Sequence, residues 1–393
     1  MRLAALITHP IQYYTPLFRE LARKIDLTVF FAHAASADDH RNSGFGVGFD
    51  WDIDLLSGYR HTFLENVSKK PSLNSFNGVD TPQIVSLLRS GGFDALLLTG
   101  WYRKSHLQAL AAAKRMGLPV IVRGDSHLDT PRGAVKRAAQ RALYPHFLRL
   151  FDAALIVGMR NRAYWEYYGY PRARMFSSPH CVDNNFFAER ATLEAGLALR
   201  ERLGIALEEK IVLFAGKMVP FKRPLDVVDS VSKVRRGGIR ASMVVAGSGP
   251  LEHETRARAD LLGVPLQILG FQNQTQMPAV YAASDIVALP SDGRETWGLV
   301  CNEALACGRG IVVSDQVGCA PDLAADGLIG RTFPMGNIDA FADSLAKSLS
   351  APALPQAIYS LSDRFSLRAA ADGVLEGLQA VKKPSSQRNG SRA

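Results

Sequence analysis

The chain has 393 residues, 47% of them hydrophobic and 21% charged, with a formal net charge of +9 and four cysteines. That length exceeds one ordinary α/β domain and suits two with separate cores, and the balanced composition excludes a fibrous or disordered chain. Apolar runs stay short of the roughly 18 residues that cross a bilayer, and Cys181, Cys301, Cys307 and Cys319 form no CxxC pair, so they read as reduced, packed thiols rather than a zinc or disulfide framework.

Short apolar runs alternate with segments of helical period along almost the whole chain, the pattern of βαβ units and parallel sheets. Met1–Ile7 is apolar, but His9 and Pro10 cut it off, so it reads as a first strand and not an export signal. The expected location is the cytoplasm. The strands expected in the first half are Leu3–Thr8, Leu27–Ala32, Ala95–Thr99, Pro119–Arg123 and Ala153–Val157, with helices such as Pro16–Lys24 and Ser105–Met116 between them. Ala34–Gly58 is rich in Gly, Asp and Ser and reads as a long loop, a length uncommon without a function.

Between Arg103 and Arg174 the cations Lys104, Lys114, Arg115, Arg123, Arg132, Lys136, Arg137, Arg141, Arg149, Arg160, Arg162 and Arg172 face few acids. Such a surface either docks on anionic lipid or a phosphate-bearing acceptor, placing the protein peripherally on the inner membrane face, or is a plain solvated face. Nucleic acid is the weaker partner, because no nucleic-acid-binding signature stands out.

Ser177–Asn185 carries Pro179 and no clear period, which sets a first domain at 1–185 and a second at 186–381. Leu193–Leu203 opens the second half as a helix. Strands follow at Ile211–Ala215, Ser242–Ala246, Leu266–Gly270, Ile286–Pro290 and Gly310–Ser314, then a last helix at Leu367–Val381. The tail 382–393 is polar and reads as disordered. Two such α/β domains facing each other form a cleft at the carboxyl ends of both sheets, where open sheets bind ligands.

Two glycine clusters fail as dinucleotide motifs. Gly247-Ser248-Gly249 is followed by Pro250 and Glu252, and no strand precedes Gly44–Gly48. Gly247 and Gly249 still allow backbone to approach a ligand closely. No P-loop pattern appears.

The informative stretch runs from Pro290 to Gly308. A strand ends at Pro290, a loop carries Glu295, and a helix begins near Gly298 and stops before Gly308. Free amide groups at such a helix start attract phosphate, and Gly298 permits its close approach. Glu295 and Glu303 flank that end, where carboxylates accept hydrogen bonds from sugar or ribose hydroxyls. After the first strand of the second half come Gly216, Lys217 and Lys222, two cations within reach of a diphosphate and able to neutralise a departing one without a metal.

These residues together resemble the family-4 retaining glycosyltransferases, which have the GT-B fold of two Rossmann-like domains facing a central cleft. The match rests on Glu295 and Glu303 with seven residues between, Gly298-Leu299-Val300, Gly216-Lys217 through Lys222, Ala246 to Pro250, Leu269-Gly270-Phe271, and Tyr281 to Asp285. It covers about half of the chain. The resemblance implies a nucleoside-diphosphate sugar as donor and no resident cofactor. Lys217 and Lys222 would hold the diphosphate. Glu303 would bind the ribose, and Glu295 would contact the donor sugar. Gly216, Gly249, Leu299 and Val300 would offer close backbone, with Gly270 and Phe271 bordering the base. The first domain would bind a saccharide or lipid-linked acceptor, for cell-surface polysaccharide or glycolipid synthesis, and the last helix would cross back to it. In the first domain the chain departs from the family, whose glycine-rich loop is here His9-Pro10-Ile11-Gln12. Where the family has a His on the donor sugar, this chain runs Arg123-Gly124-Asp125-Ser126-His127, so either Asp125 or His127 faces the cleft. His9 and Arg123 are candidates for the acceptor side. A GT-B epimerase and a nucleotide-sugar binder without catalysis are the alternatives.

Overall fold

The computed structural model describes residues 1–35 and 48–382; most of the Gly44–Gly48 run and the tail from 383 lie outside the described residues. The first sheet comprises β1 (Arg2–Ile7), β2 (Asp26–Phe31), β3 (Arg60–Phe63), β4 (Ala95–Leu98), β5 (Val120–Arg123), β6 (Ala153–Ile156) and β7 (Met175–Ser177). The second comprises β8 (Lys210–Ala215), β9 (Ala241–Ala246), β10 (Leu266–Ile268), β11 (Ile286–Leu289), β12 (Gly310–Ser314) and β13 (Gly330–Phe333). Their orders are β3-β2-β1-β4-β5-β6-β7 and β10-β9-β8-β11-β12-β13, and the paired strands run parallel throughout.

Both orders reverse beside their first strand. The crossovers after β1 and β8 go one way, and β4 and β11 then join on the other side. At such a switch point neighbouring loops part, leaving a crevice at the carboxyl ends of the strands. The second sheet's crevice lies between the ends of β8 and β11.

The central strands form because their apolar runs are buried on both faces, as a parallel sheet between helices requires. All four residues of β4, β6 and β11 are buried. Three edge strands lack that signal. All of β3, Arg-His-Thr-Phe, is exposed. β7 is three residues long, and β13 carries the polar pair Arg331 and Thr332 between buried Gly330 and Phe333.

The helix Leu367–Val381 returns to the first sheet. Its Ala370, Ala371, Val374 and Leu378 are buried with Leu3, Ala5, Leu97 and Leu155. Each larger apolar side chain enclosed this way contributes about 1.5–3 kcal/mol. Small residues let the helix lie directly on the sheet. A Cβ on Gly373 would stand 1.7 Å from the Ser177 carbonyl oxygen, and the Ser178 hydroxyl donates to the Ala370 carbonyl at 2.9 Å.

The two halves touch along the cleft. The Met159 amide donates to both oxygens of Asp322 at 3.1 and 3.0 Å. The Asn302 amide donates to the His180 carbonyl at 3.1 Å. A segment of the long loop also reaches across: the Thr275 amide donates to Asp52, and Asn273 donates to the Asp50 carbonyl at 2.8 Å.

Candidate functional site

The loop leaving β8 is shaped by three glycines. Gly216, Gly247 and Gly249 have φ of 148°, 154° and 154°. A Cβ on Gly247 would lie 1.9 Å from the Gly216 carbonyl oxygen, and one on Gly249 2.6 Å from that of Met218. The Gly216 amide donates to Ala246 at 2.9 Å and the Met218 amide to Ser248 at 2.8 Å. Gly249 therefore lets one loop lie on another, and the backbone it admits is the protein's own. Beyond it, the 3₁₀ turn Pro220–Lys222 folds Lys222 back toward the strand end. Arg223 ends that turn at φ 55°, a conformation unusual for a residue with a side chain, and its guanidinium donates to Asp226 at 2.6 Å.

The second arm leaves β11. Gly298, at φ 96°, opens the helix Leu299–Ala306 with no side-chain cap. The first amides of the helix thus keep their donors for a ligand. Space also dictates glycine here, because a Cβ would meet Leu289 at 2.6 Å. Glu295, just before the helix, is paired with the Lys222 ammonium and accepts the Ser291 hydroxyl at 3.2 Å.

One turn into the helix, Glu303 accepts the Tyr281 hydroxyl at 2.6 Å. Burial pushes the Glu303 carboxyl up to about 7, against the opposing pull of that hydrogen bond. Burial also lowers the Lys217 ammonium below its ordinary value, the Lys222 charge adds to this, and Glu295 opposes it.

Gly216, Lys217, Lys222, Glu295, Gly298, Leu299, Val300 and Glu303 all line one cavity of about 370 Å³. Phe271 lines it too, next to Gly270, which bridges to Gly247. Trp51, from the first half's long loop, closes the far wall, and Phe49 stacks on Phe271 with ring centroids 4.1 Å apart. An adjoining cavity of about 420 Å³ shares Gln12, Gln274, Leu299 and Glu303, and adds Tyr13, Arg19, Asp54, Asp183 and Arg190.

The first half's candidates fall in different places. Asp125 accepts the Thr296 hydroxyl at 2.7 Å, and Thr296 lines the smaller cavity. His127 is enclosed in its own loop, with Nε2 3.4 Å from the Thr130 hydroxyl and Nδ1 3.7 Å from Asp129; burial lowers its pKa. Arg123 is buried, donates to the Pro179 carbonyl at 2.8 Å and to Ser178 at 3.3 Å, and lies over the Tyr14 ring. His9 contacts the Thr8 hydroxyl at 2.9 Å. Gln12, Trp51 and Thr296 were not expected on the cavity walls. Thr296 was recoverable, standing between Glu295 and Gly298; Gln12 and Trp51 are brought there by tertiary structure alone.

Among the described residues no three His, Cys, Asp or Glu side chains gather as metal ligands. Nor is any helix there long and apolar enough to cross a membrane.

Two facing parallel sheets of this order, with a last helix returning to the first, make the GT-B architecture. Solved structures share it over nearly the whole chain. A glycosyltransferase from Rickettsia africae superposes with a TM-score of 0.74 at 15% identity, over 98% of this chain and 99% of that one. Anabaena Alr3699/HepE, in complex with UDP and glucose, superposes with a TM-score of 0.70 at 14% identity, over 96% and 99%. At such identity the likeness concerns the fold. The sequence supplies the rest: residues 197–363, most of the second half, match the model for Glycosyl transferases group 1. It is 34% identical over 194 residues to D-inositol 3-phosphate glycosyltransferase of Segniliparus rotundus, 47% of this chain and 43% of that protein. The alignment thus spans less than half the length of that curated relative.

Proposed function

We propose that the protein is a retaining glycosyltransferase that moves a sugar from a nucleoside diphosphate to a hydroxyl of a saccharide or lipid-linked acceptor. One observation carries the reading: Lys217, Lys222, Glu295 and Glu303 converge on a single cavity at the uncapped amino end of the helix Leu299–Ala306. Two ammonium groups and free helix amides suit a diphosphate. Glu303, half-buried on the cavity wall, suits a pair of ribose hydroxyls. Glu295, beside the diphosphate position, suits the hydroxyls of the transferred sugar.

In the reaction the bond from the sugar's anomeric carbon to the diphosphate oxygen breaks, and a bond to the acceptor oxygen forms on the same face. The acceptor's proton passes to the leaving diphosphate oxygen. The chain's contribution is charge placed beforehand: Lys217, Lys222 and the helix amides meet the negative charge that grows on the diphosphate. Asp125, tied to Thr296 on the cavity wall, is the first-domain group best set to touch the donor sugar; His127 is occupied within its loop. The adjoining cavity, with Gln12, Tyr13, Asp54 and Asp183, is the acceptor's place.

Thermal stabilisation of the purified protein by a panel of nucleoside-diphosphate sugars, followed by transfer and hydrolysis assays with the best, tests the reading. A stabilising donor whose sugar is transferred or slowly hydrolysed supports it. Binding with neither transfer nor hydrolysis would make the protein a nucleotide-sugar binder, and release of a free epimerised sugar would make it an epimerase.

A further inference from the structure

The helix Ala134–Phe147 is built the wrong way round for a globular helix. Val135, Ala138, Ala139, Ala142 and Leu143 stand at i, i+3, i+4, i+7 and i+8, the spacing that ordinarily faces a core. Here all five are exposed, Val135 to 85% and Leu143 to 65%, while the one buried residue of the helix is Gln140. Gln140 donates to the Tyr144 hydroxyl at 3.1 Å, and Tyr144 and Phe147 pack inward against Tyr168 and Trp101. The apolar stripe therefore looks out to solvent.

Cations border it. Lys136 flanks the stripe on one side and Arg141 on the other, Arg137 lies further round the helix beyond Arg141, and Arg149 follows just past its end; all are exposed. From residue 130 to 151 the sequence contains no acidic residue, and no carboxylate among the described residues pairs with any of the four. The stripe is shallow, three of its five members being alanine, and its border carries one sign of charge. That combination fits a flat anionic surface with an apolar layer beneath it better than the contoured face of a protein. The loop leading into the helix starts at the cleft, where Asp125 meets Thr296.

We propose that this helix docks the protein on an anionic lipid bilayer, the Val135–Leu143 stripe entering the headgroup boundary and Lys136, Arg137 and Arg141 resting on lipid phosphates. The cleft then opens beside the membrane surface. The docking does not depend on the donor assignment.

Sedimentation with phosphatidylcholine vesicles, with and without phosphatidylglycerol, tests it. The protein is expected to sediment with the mixed vesicles, to dissociate as salt is raised, and to stay in solution with phosphatidylcholine alone. The triple variant Lys136→Glu, Arg137→Glu, Arg141→Glu should lower the partition by about fivefold per cation or more. The pair Val135→Ser, Leu143→Ser should lower it with every charge kept. These positions are exposed, so melting temperature and donor-induced stabilisation should match the parent protein in both variants, which separates this proposal from the transferase reading. Equal partition onto both vesicle types, unchanged partition of either variant, or binding to heparin without binding to vesicles would overturn it.

Discussion

Lys222 and Glu295 pair at the cavity wall, and both side chains are largely enclosed, with 13% and 14% of their surface exposed. A pair so placed holds two opposite groups at the spot where a diphosphate and a sugar would meet. Replacing Lys222 with Ala leaves the enclosed carboxylate with the Ser291 hydroxyl and the more distant charge of Lys217. Two effects should follow: a loss of about 1–3 kcal/mol in stability from the unpaired group, and a fall in turnover on the order of 10²–10³-fold from the missing cation. Lys222→Arg should recover most of the stability and less of the turnover, since its fork cannot occupy the same point. Near-normal turnover in Lys222→Ala would remove the diphosphate assignment.

Much of this site was legible because it sits on local sequence. The strand ending at Leu289, the glycine opening a helix, and two acids with seven residues between them require no tertiary knowledge. The edge strands β3 and β7 were not legible, because β3 has no apolar run to betray it and β7 is three residues long, whereas the edge strand β10 is legible at Leu266–Gly270. Gly249 reads as room for a ligand, and the structure fills that room with the Met218 backbone, whereas Gly247, packed on the Gly216 carbonyl, still lines the cavity. Nothing in the sequence distinguishes those two uses, since both demand the same absent side chain. Asp125 and His127 likewise could not be separated by spacing; only the partner across the cleft, Thr296, tells them apart.

That separation can be measured. Asp125→Ala removes a hydrogen bond made across the two halves beside the donor cavity, so the donor KM should rise by about tenfold or more, with a melting temperature little changed. Asp125→Asn keeps the shape and one acceptor oxygen and should fall between. His127→Ala, by contrast, empties a fully buried position and should lower the melting temperature, with the donor KM within about twofold. The opposite pattern would move the role from Asp125 to His127.

Gly298→Ala tests the helix end itself. The new methyl would meet Leu289 at 2.6 Å, at a backbone φ of 96°. Strain of about 1–3 kcal/mol is expected from a side chain held there. The relief is to shift the first turn of the helix, which moves the amides of Leu299 and Val300. Calorimetry should therefore show a lower melting temperature together with weaker binding of a nucleoside diphosphate. A variant that melts early yet binds the diphosphate undiminished would show that the helix end does not carry the ligand.

Glu303 gives the pH dependence. Its carboxyl, ordinarily near 4.5, is pushed up to about 7 in the fold by burial. Between those values the unfolded chain has lost the proton and the folded protein still holds it, so folding takes up a proton. Stability contributed by this group is present below about 4.5 and is lost as pH rises to about 7, by roughly 3 kcal/mol at most. Glu303→Gln cannot titrate, so the parent's melting temperature should fall relative to the variant's from pH 5 to pH 7.5. Ribose hydroxyls donating to the carboxylate favour its charged form, so nucleotide binding near pH 6.5 should release a proton. Titration calorimetry in buffers of different ionisation enthalpy reads that release directly, and Glu303→Gln should abolish it. Binding that releases no proton in the parent protein would mean that the ribose does not rest on Glu303.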